Sequence, residues 1–175
     1  MNENYVLTTD DVFTKKECNN LINSFEKKTV KGNDNWNYNF YDIDVENFIY
    51  LNKLNEIIDL YIKKYPEVNM TSSYWKLVNL RYKMFEKNKG FTNWHSEHSF
   101  NYPYRILSLQ IYLSNHNCGT EFFSNKKTIL SKIGRVSIFP AYFTHTHKGQ
   151  ICVENKKRHI ITGYISFYKK GPNNE

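Results

Sequence analysis

The chain has 175 residues, 40% of them hydrophobic and 17% aromatic, and a net charge of +7. That length suits one domain with a sizeable core, the apolar content excludes a disordered chain, and no apolar run approaches the roughly 20 residues of a bilayer span. The lysines are scattered rather than clustered, so a compositional bias accounts for the charge as well as a polyanion does, and nucleic acid is not the expected partner.

In chain order, "MNENYVLTTDD" lacks the basic start and apolar stretch of a signal peptide, which predicts a soluble, cytoplasmic protein. In such a reducing setting the three scattered cysteines, Cys18, Cys118 and Cys152, suggest no disulfide framework. "FTKKECNNLINSFEKK" opens with a capping box, Thr14 at the N-cap and Glu17 at N3, and predicts a helix over about 15–27. The Asn-rich, aromatic stretch that follows reads as a loop with room for one short strand. Its cluster Trp36, Tyr38, Phe40 and Tyr41 is either packing or a lid over a substrate site. From Val45 to Lys64, Phe48, Leu51, Leu54, Ile57, Ile58, Tyr61 and Ile62 recur at helical spacing until Pro66 ends the pattern.

Beyond Thr71 the period becomes two. "SYWKLVNLRYKMF" places Val78, Leu80, Tyr82 and Met84 on one face of a strand. "RILSLQIYLSN" alternates Leu107, Leu109, Ile111 and Leu113 with Ser108, Gln110 and Tyr112. "KTILSKIGRVSIFPA" predicts two short strands broken by Gly134, and "RHIITGYISFY" the last. Gly119 and Thr120 read as a turn, with Phe122 and Phe123 in the core. Helices first and strands after predict an α+β fold: residues 1–70 mainly helical support, 71–170 an antiparallel sandwich or jelly-roll core, and 1–175 a single domain. Ser108, Gln110 and Tyr112 then either line a cavity or meet water.

The chemistry concentrates in "TNWHSEHSFNYPY". On an extended segment His95 and Glu97 point to the same side and can hold one ion, whereas His98 points away. The pair alone is weak in a chain with 6 histidines and 17 acidic residues. "GRVSIFPAYFTHTHKG" adds His145 and His147, taken to share a strand face, either of which supplies a second imidazole. Two imidazoles and a carboxylate make the facial triad of non-haem Fe(II) sites. Arg158 heads a strand face shared with Ile160, Thr162 and Tyr164, from which its guanidinium can bind a carboxylate bidentately in the cavity that Tyr112 lines. His116 and His159 read as surface or packed polar residues. Trp94, Phe100, Tyr102 and Tyr104 read as packing.

Four segments in order, "GFTNWHSE", "RILSLQIYLSN" leading into "CGTEFF", "GRVSIFPAYFTHTHKG" and "KRHIITGYISF", resemble the 2-oxoglutarate and Fe(II)-dependent oxygenases, most of all the prolyl-hydroxylase branch and its short viral versions. The resemblance covers about residues 77–168. It implies a double-stranded β-helix (jelly-roll, cupin-like) core with the N-terminal helices packed on one sheet. It further implies that His95, Glu97 and His147 hold Fe(II), with His147 preferred over His145 by its spacing to Arg158. Arg158 and Tyr112 would bind the distal carboxylate of 2-oxoglutarate, with ascorbate as an accessory reductant. Glu97 stands where the family more often has aspartate. The implied reaction is hydroxylation of a C–H bond in a peptidyl, for example prolyl, or small-molecule substrate, with release of succinate and CO2. Two alternatives stay open: a cupin-type metal enzyme that does not use 2-oxoglutarate, and a non-catalytic basic binding module.

Overall fold

A computed structural model describes residues 5–32, 37–71, 74–124 and 126–168. Helix α1 (Lys15–Phe25) starts at the capping box: Glu17 N–H donates to Thr14 Oγ1 at 3.2 Å and Thr14 N–H to Glu17 Oε2 at 2.8 Å. Helix α2 (Leu51–Lys64) begins later than the apolar spacing predicts. Asp44 is the reason. Its carboxylate accepts from the Glu46 N–H at 3.0 Å and the Asn47 side-chain amide at 2.7 Å, a side-chain turn that diverts the backbone before a helix can start.

The described residues form, in chain order, ten strands: β1 (Leu7–Thr9), β2 (Val30–Lys31), β3 (Asn39–Ile43), β4 (Trp75–Phe85), β5 (Arg105–Tyr112), β6 (Gly119–Phe122), β7 (Thr128–Leu130), β8 (Val136–Pro140), β9 (His147–Gly149) and β10 (Arg158–Phe167). They form two antiparallel sheets, one ordered β1-β8-β5-β10-β4-β3-β2 and a smaller one ordered β7-β6-β9. The first 70 residues thus supply three strands as well as both helices. β1 and β2 are too short to show an alternating pattern in the sequence. Gly134 turns the chain from β7 toward β8 with φ of 81°, a conformation that costs glycine nothing.

The larger sheet has two chemically different faces. Leu107, Leu109 and Ile111 of β5 join Leu80, Tyr82 and Met84 of β4 and Ile161 and Ile165 of β10 in one core, which Leu21 of α1 and Leu54, Ile58 and Tyr61 of α2 complete. Each such side chain contributes roughly 1.5–3 kcal/mol by leaving water, so this face decides how the helices dock. Val78, expected beside Leu80, is not on it: the β4–β10 register shifts so that Asn79 faces Tyr164 and Leu77 faces Ile165, and Leu77 is buried instead.

The opposite face is polar. Its cross-strand rows are Phe85–Arg158, then Lys83–Ile160–Tyr112, then Arg81–Thr162–Gln110–Ser137. Ser108, Gln110 and Tyr112 are buried rather than washed by water, because the smaller sheet lies over them. Gly119 and Thr120, expected in a turn, begin β6, and Thr120 Oγ1 donates across the sheets to Gln110 Oε1 at 2.6 Å. Phe122 is buried against Phe139, but Phe123, expected in the core with it, is exposed because it points to the other side of the chain.

The cysteine expectation is overturned for one pair. Cys118 and Cys152 are bonded, with Cα atoms 5.3 Å apart, while Cys18 is free and buried. Their separation of 34 positions hides the pairing in the sequence, but β6 pairs with β9 at Thr120–Gly149 and brings the two strand ends together. Among the described residues no helix is long and apolar enough to cross a membrane.

Leu109 is fully buried at the centre of the helix-facing core. Leu109→Ala is expected to lower the unfolding free energy by about 2–5 kcal/mol, read as a lower urea midpoint at unchanged slope.

Candidate metal centre

His95 and His147 meet through their backbones. The N–H of each donates to the carbonyl of the other, at 3.0 and 2.9 Å, and their ring centroids lie 4.4 Å apart. His95 Nδ1 lies 2.9 Å from the Asn93 carbonyl, and His147 Nδ1 2.9 Å from the His145 carbonyl. A carbonyl oxygen only accepts, so each Nδ1 carries the proton and each Nε2 presents a lone pair. Both Nε2 atoms face Glu97 Oε1, at 3.5 and 3.8 Å. The three donor atoms lie within 4.8 Å of one another, a spacing that suits one shared cation.

Glu97 is held from two sides. Its N–H donates to the Ala141 carbonyl at 3.0 Å, and its second oxygen, Oε2, takes Arg105 Nη1 at 3.3 Å. Arg105 is itself clamped between the Tyr102 and Tyr164 rings, 3.7 and 3.6 Å from their centroids. Burial pushes the Glu97 carboxyl up, but its contact with the His95 ring and the charge of Lys83 outweigh it and bring the group to about 2. Burial above all brings His147 down to about 4. At neutral pH Glu97 is therefore a carboxylate and His147 a neutral imidazole, the forms that a divalent cation needs.

These groups open onto a cleft between the two sheets, whose empty space, counted out to its solvent mouth, is about 410 Å³. Arg158 and Tyr112 line the same cleft, as the shared strand faces predict. Burial lowers the Arg158 guanidinium to about 10, so it stays cationic. Phe85 lies 4.3 Å beneath it, and a Cβ on Gly149 would stand 3.3 Å from its Nη2, a tight contact. Arg158 Nε and Thr162 Oγ1, both buried on this face, have no hydrogen-bond partner. Unpaired buried donors are costly, and these two mark a place for an anionic acceptor. The Tyr112 hydroxyl lies 2.7 Å from Gln110 Oε1 and 2.9 Å from Thr120 Oγ1 and is engaged there.

His145 is not brought to the cluster. It ends a short 3-10 turn, Phe143–His145, rather than sharing a strand face with His147, and its carbonyl holds the His147 ring. His98 turns away toward the Arg105 carbonyl and the Tyr142 ring. His116 and His159 are packed polar residues, the latter 2.7 Å from the Tyr82 hydroxyl. Of the aromatic residues expected to pack, Trp94 stands edge-on to Phe123 and Tyr102 lies on Arg105, while all four of Trp94, Phe100, Tyr102 and Tyr104 keep an exposed side, Phe100 at 98%. They sit on and around the irregular stretch between β4 and β5, where no strand or helix covers them. Of the possible lid, Trp36 lies outside the described residues, while Tyr38 is buried against Phe85 and Phe91 in the wall of the cleft.

Two polar side chains of the cleft escaped the sequence reading, as did Phe85, Phe91 and Gly149 of its wall. Lys83 lines the cleft from β4, and burial lowers its ammonium to about 8. The signal was available, because Lys83 alternates out of phase with Leu80, Tyr82 and Met84 and so faces away from the core. Thr120 was hidden by the turn assignment.

No model of a protein family matches the sequence, and no curated protein matches it. Solved structures do match in fold. The viral collagen prolyl hydroxylase of Paramecium bursaria Chlorella virus-1, in complex with 2-oxoglutarate, aligns with a TM-score of 0.72 over 95% of this chain and 98% of its own, at 16% identity. A prolyl-4-hydroxylase of Pseudomonas putida aligns at 0.69 over 97% and 95%, at 11% identity. The prolyl hydroxylase of Trichoplax adhaerens, in complex with a hypoxia-inducible-factor peptide fragment, aligns at 0.68 over 94% and 84%, at 16% identity. At these identities the likeness is one of fold, and it falls among the oxygenases that the four sequence segments resemble.

The geometry separates the two candidate distal histidines. His147→Ala is expected to abolish stoichiometric Mn(II) binding, measured by the loss of free-ion electron paramagnetic resonance signal, as are His95→Ala and Glu97→Ala. His145→Ala should retain it.

Proposed function

We propose that this chain is an Fe(II)- and 2-oxoglutarate-dependent dioxygenase with a double-stranded β-helix core, which hydroxylates a C–H bond of a peptidyl substrate, a prolyl residue being the first candidate. One observation carries the reading: two imidazole lone pairs and a carboxylate converge in a cleft that also holds a buried guanidinium whose Nε has no partner. With Fe(II) on His95, Glu97 and His147 and 2-oxoglutarate chelating it, the pair supplies oxidative decarboxylation to succinate and CO2 coupled to oxidation of a substrate C–H bond.

The chain's own residues then have defined tasks. Arg158 receives the distal carboxylate of 2-oxoglutarate, one oxygen of which answers the unpaired Nε, with Thr162 Oγ1 beside it. Tyr112, released from Gln110 by a small rotation of its hydroxyl, donates to the same carboxylate. Lys83 adds a second positive charge to the cleft wall. Phe85, Phe91 and Ile160 exclude water around it, which strengthens each of these contacts. The exposed rings of Phe100, Tyr102 and Tyr104 follow Glu97 in the chain, and Tyr102 reaches Glu97 through Arg105. They offer a peptide an apolar surface next to the centre, in line with the peptide held by the Trichoplax neighbour. A metal enzyme without the cosubstrate leaves the buried charge of Arg158 with no task, and a binding module leaves the convergent ligands with none.

Anaerobic addition of Fe(II) and then 2-oxoglutarate is expected to produce the weak visible charge-transfer band of the chelate, and no band would exclude the reading. Arg158→Ala should raise the half-saturating 2-oxoglutarate about 10- to 150-fold, the equivalent of the roughly 1.5–3 kcal/mol carried by hydrogen bonds to a charged group.

Lys83 gives the cosubstrate step a pH dependence of known sign. The ammonium is present below about 8 and is lost as pH rises through that value. 2-Oxoglutarate affinity, measured by calorimetry with Mn(II) in place of iron, is therefore expected to fall above pH 8 in the parent chain. Lys83→Met should flatten that fall.

A further inference from the structure

A second group of metal-ligating side chains lies outside the cleft. His116 and Cys118 come from the loop between β5 and β6, and Cys152 and Glu154 from the loop between β9 and β10. A ring nitrogen of His116, Cys152 Sγ and a Glu154 oxygen lie within 4.8 Å of one another, and Cys118 Sγ is bonded to Cys152 Sγ. His116, Cys118 and Cys152 are buried. In sequence the four form two pairs at i and i+2, H-x-C and C-x-E, which project their side chains in the same direction from extended backbone.

His116 Nε2 lies 3.1 Å from the Lys157 carbonyl, an oxygen that only accepts, and Nδ1 of the same ring lies 2.7 Å from Glu154 Oε2. Both ring nitrogens thus face acceptors, and the ring forms an ion pair with Glu154 when it carries both protons. A divalent cation can take the place of the proton between Nδ1 and Glu154, with the Lys157 carbonyl fixing the ring tautomer in the way that outer-shell acceptors do for metal-bound histidine. The neighbouring charges suit an anionic ligand set: Arg158 Nη1 lies 3.7 Å from Cys118 Sγ, and Lys156 Nζ 3.5 Å from Glu154 Oε1.

We propose that His116, Cys118, Cys152 and Glu154 form a second metal site, for a zinc-class divalent cation, that opens when the Cys118–Cys152 bond is reduced and closes when it forms. Two thiolates, an imidazole and a carboxylate complete a tetrahedral shell of the kind that zinc favours. A dithiol supplies the two electrons and two protons that break the S–S bond and leaves as its own disulfide. The incoming cation then displaces the two thiol protons to solvent. The site ties the two loops together directly before Arg158, the first residue of β10.

Co(II) alone is the probe, added anaerobically to the whole chain after dithiol reduction. The expected result is a near-ultraviolet thiolate-to-cobalt band that saturates by two equivalents per chain, one for each centre, and is displaced by Zn(II). It should be missing from the oxidised chain and from the Cys118→Ser, Cys152→Ser double variant, in which Mn(II) binding at His95, Glu97 and His147 persists. Absence of the band from the reduced chain, or its persistence at full strength in the double variant, overturns the proposal. Should the double variant not fold, His116→Ala serves: it is expected to weaken Co(II) binding tenfold or more, and an unchanged affinity overturns the shell. The band needs sulfur, which the His95–Glu97–His147 centre lacks, so it reports on this site whatever the outcome at the other.

Discussion

The molecule depends on a pair of backbone hydrogen bonds, those that His95, on an otherwise irregular stretch, exchanges with His147 at the start of β9. They are ordinary antiparallel bonds, yet they join residues 52 positions apart and set the imidazoles side by side. Neither ring is left to choose its tautomer, because a carbonyl two residues earlier in the chain takes each Nδ1–H. Glu97 is placed by the same neighbourhood, its N–H on the Ala141 carbonyl just beyond β8. The donor set is thus organised by main-chain groups, whose positions side-chain repacking hardly disturbs. That is the sort of preorganisation a metal centre requires.

Behind this centre stands a sheet that does opposite things on its two faces. The outward face is apolar and tied to α1 and α2, so it supplies the free energy of folding. The inward face carries arginine, lysine, threonine, glutamine and tyrosine in register, and leaves the Oγ atoms of Ser108, Ser137 and Thr162 and Arg158 Nε unsatisfied. A protein interior rarely tolerates such groups, and their gathering on one side of one sheet is better explained by a polar occupant than by chance. The stability of the first face makes the cost of the second bearable.

The loops that flank the smaller sheet tie the two sheets together near Arg158. Cys118 reaches Arg158 Nη1, His116 reaches the carbonyl of Lys157, and Glu154 accepts from the Asn117 N–H. The start of β10 is therefore positioned by a network separate from the cleft. The cysteine pair thus touches Arg158 without touching the His95–Glu97–His147 cluster.

Patterns of local period were legible in the sequence. The alternation of Leu107, Leu109 and Ile111 with Ser108, Gln110 and Tyr112 determined which residues could face a cleft, and the box of Thr14 and Glu17 determined where α1 begins. The two-residue spacing of His95 and Glu97 allowed them one ion, since side-chain direction along a strand or helix depends on covalent geometry alone. Tertiary structure decided the rest: the choice of His147 over His145, the bulge that exchanges Val78 for Leu77, the Cys118–Cys152 pair, the exposure of Phe100, and the entry of Lys83 and Thr120 into the cleft. Each of these depends on which distant segment lies opposite. That is fixed by hydrogen-bond register and packing between strands far apart in the chain, and a periodic pattern carries no record of it.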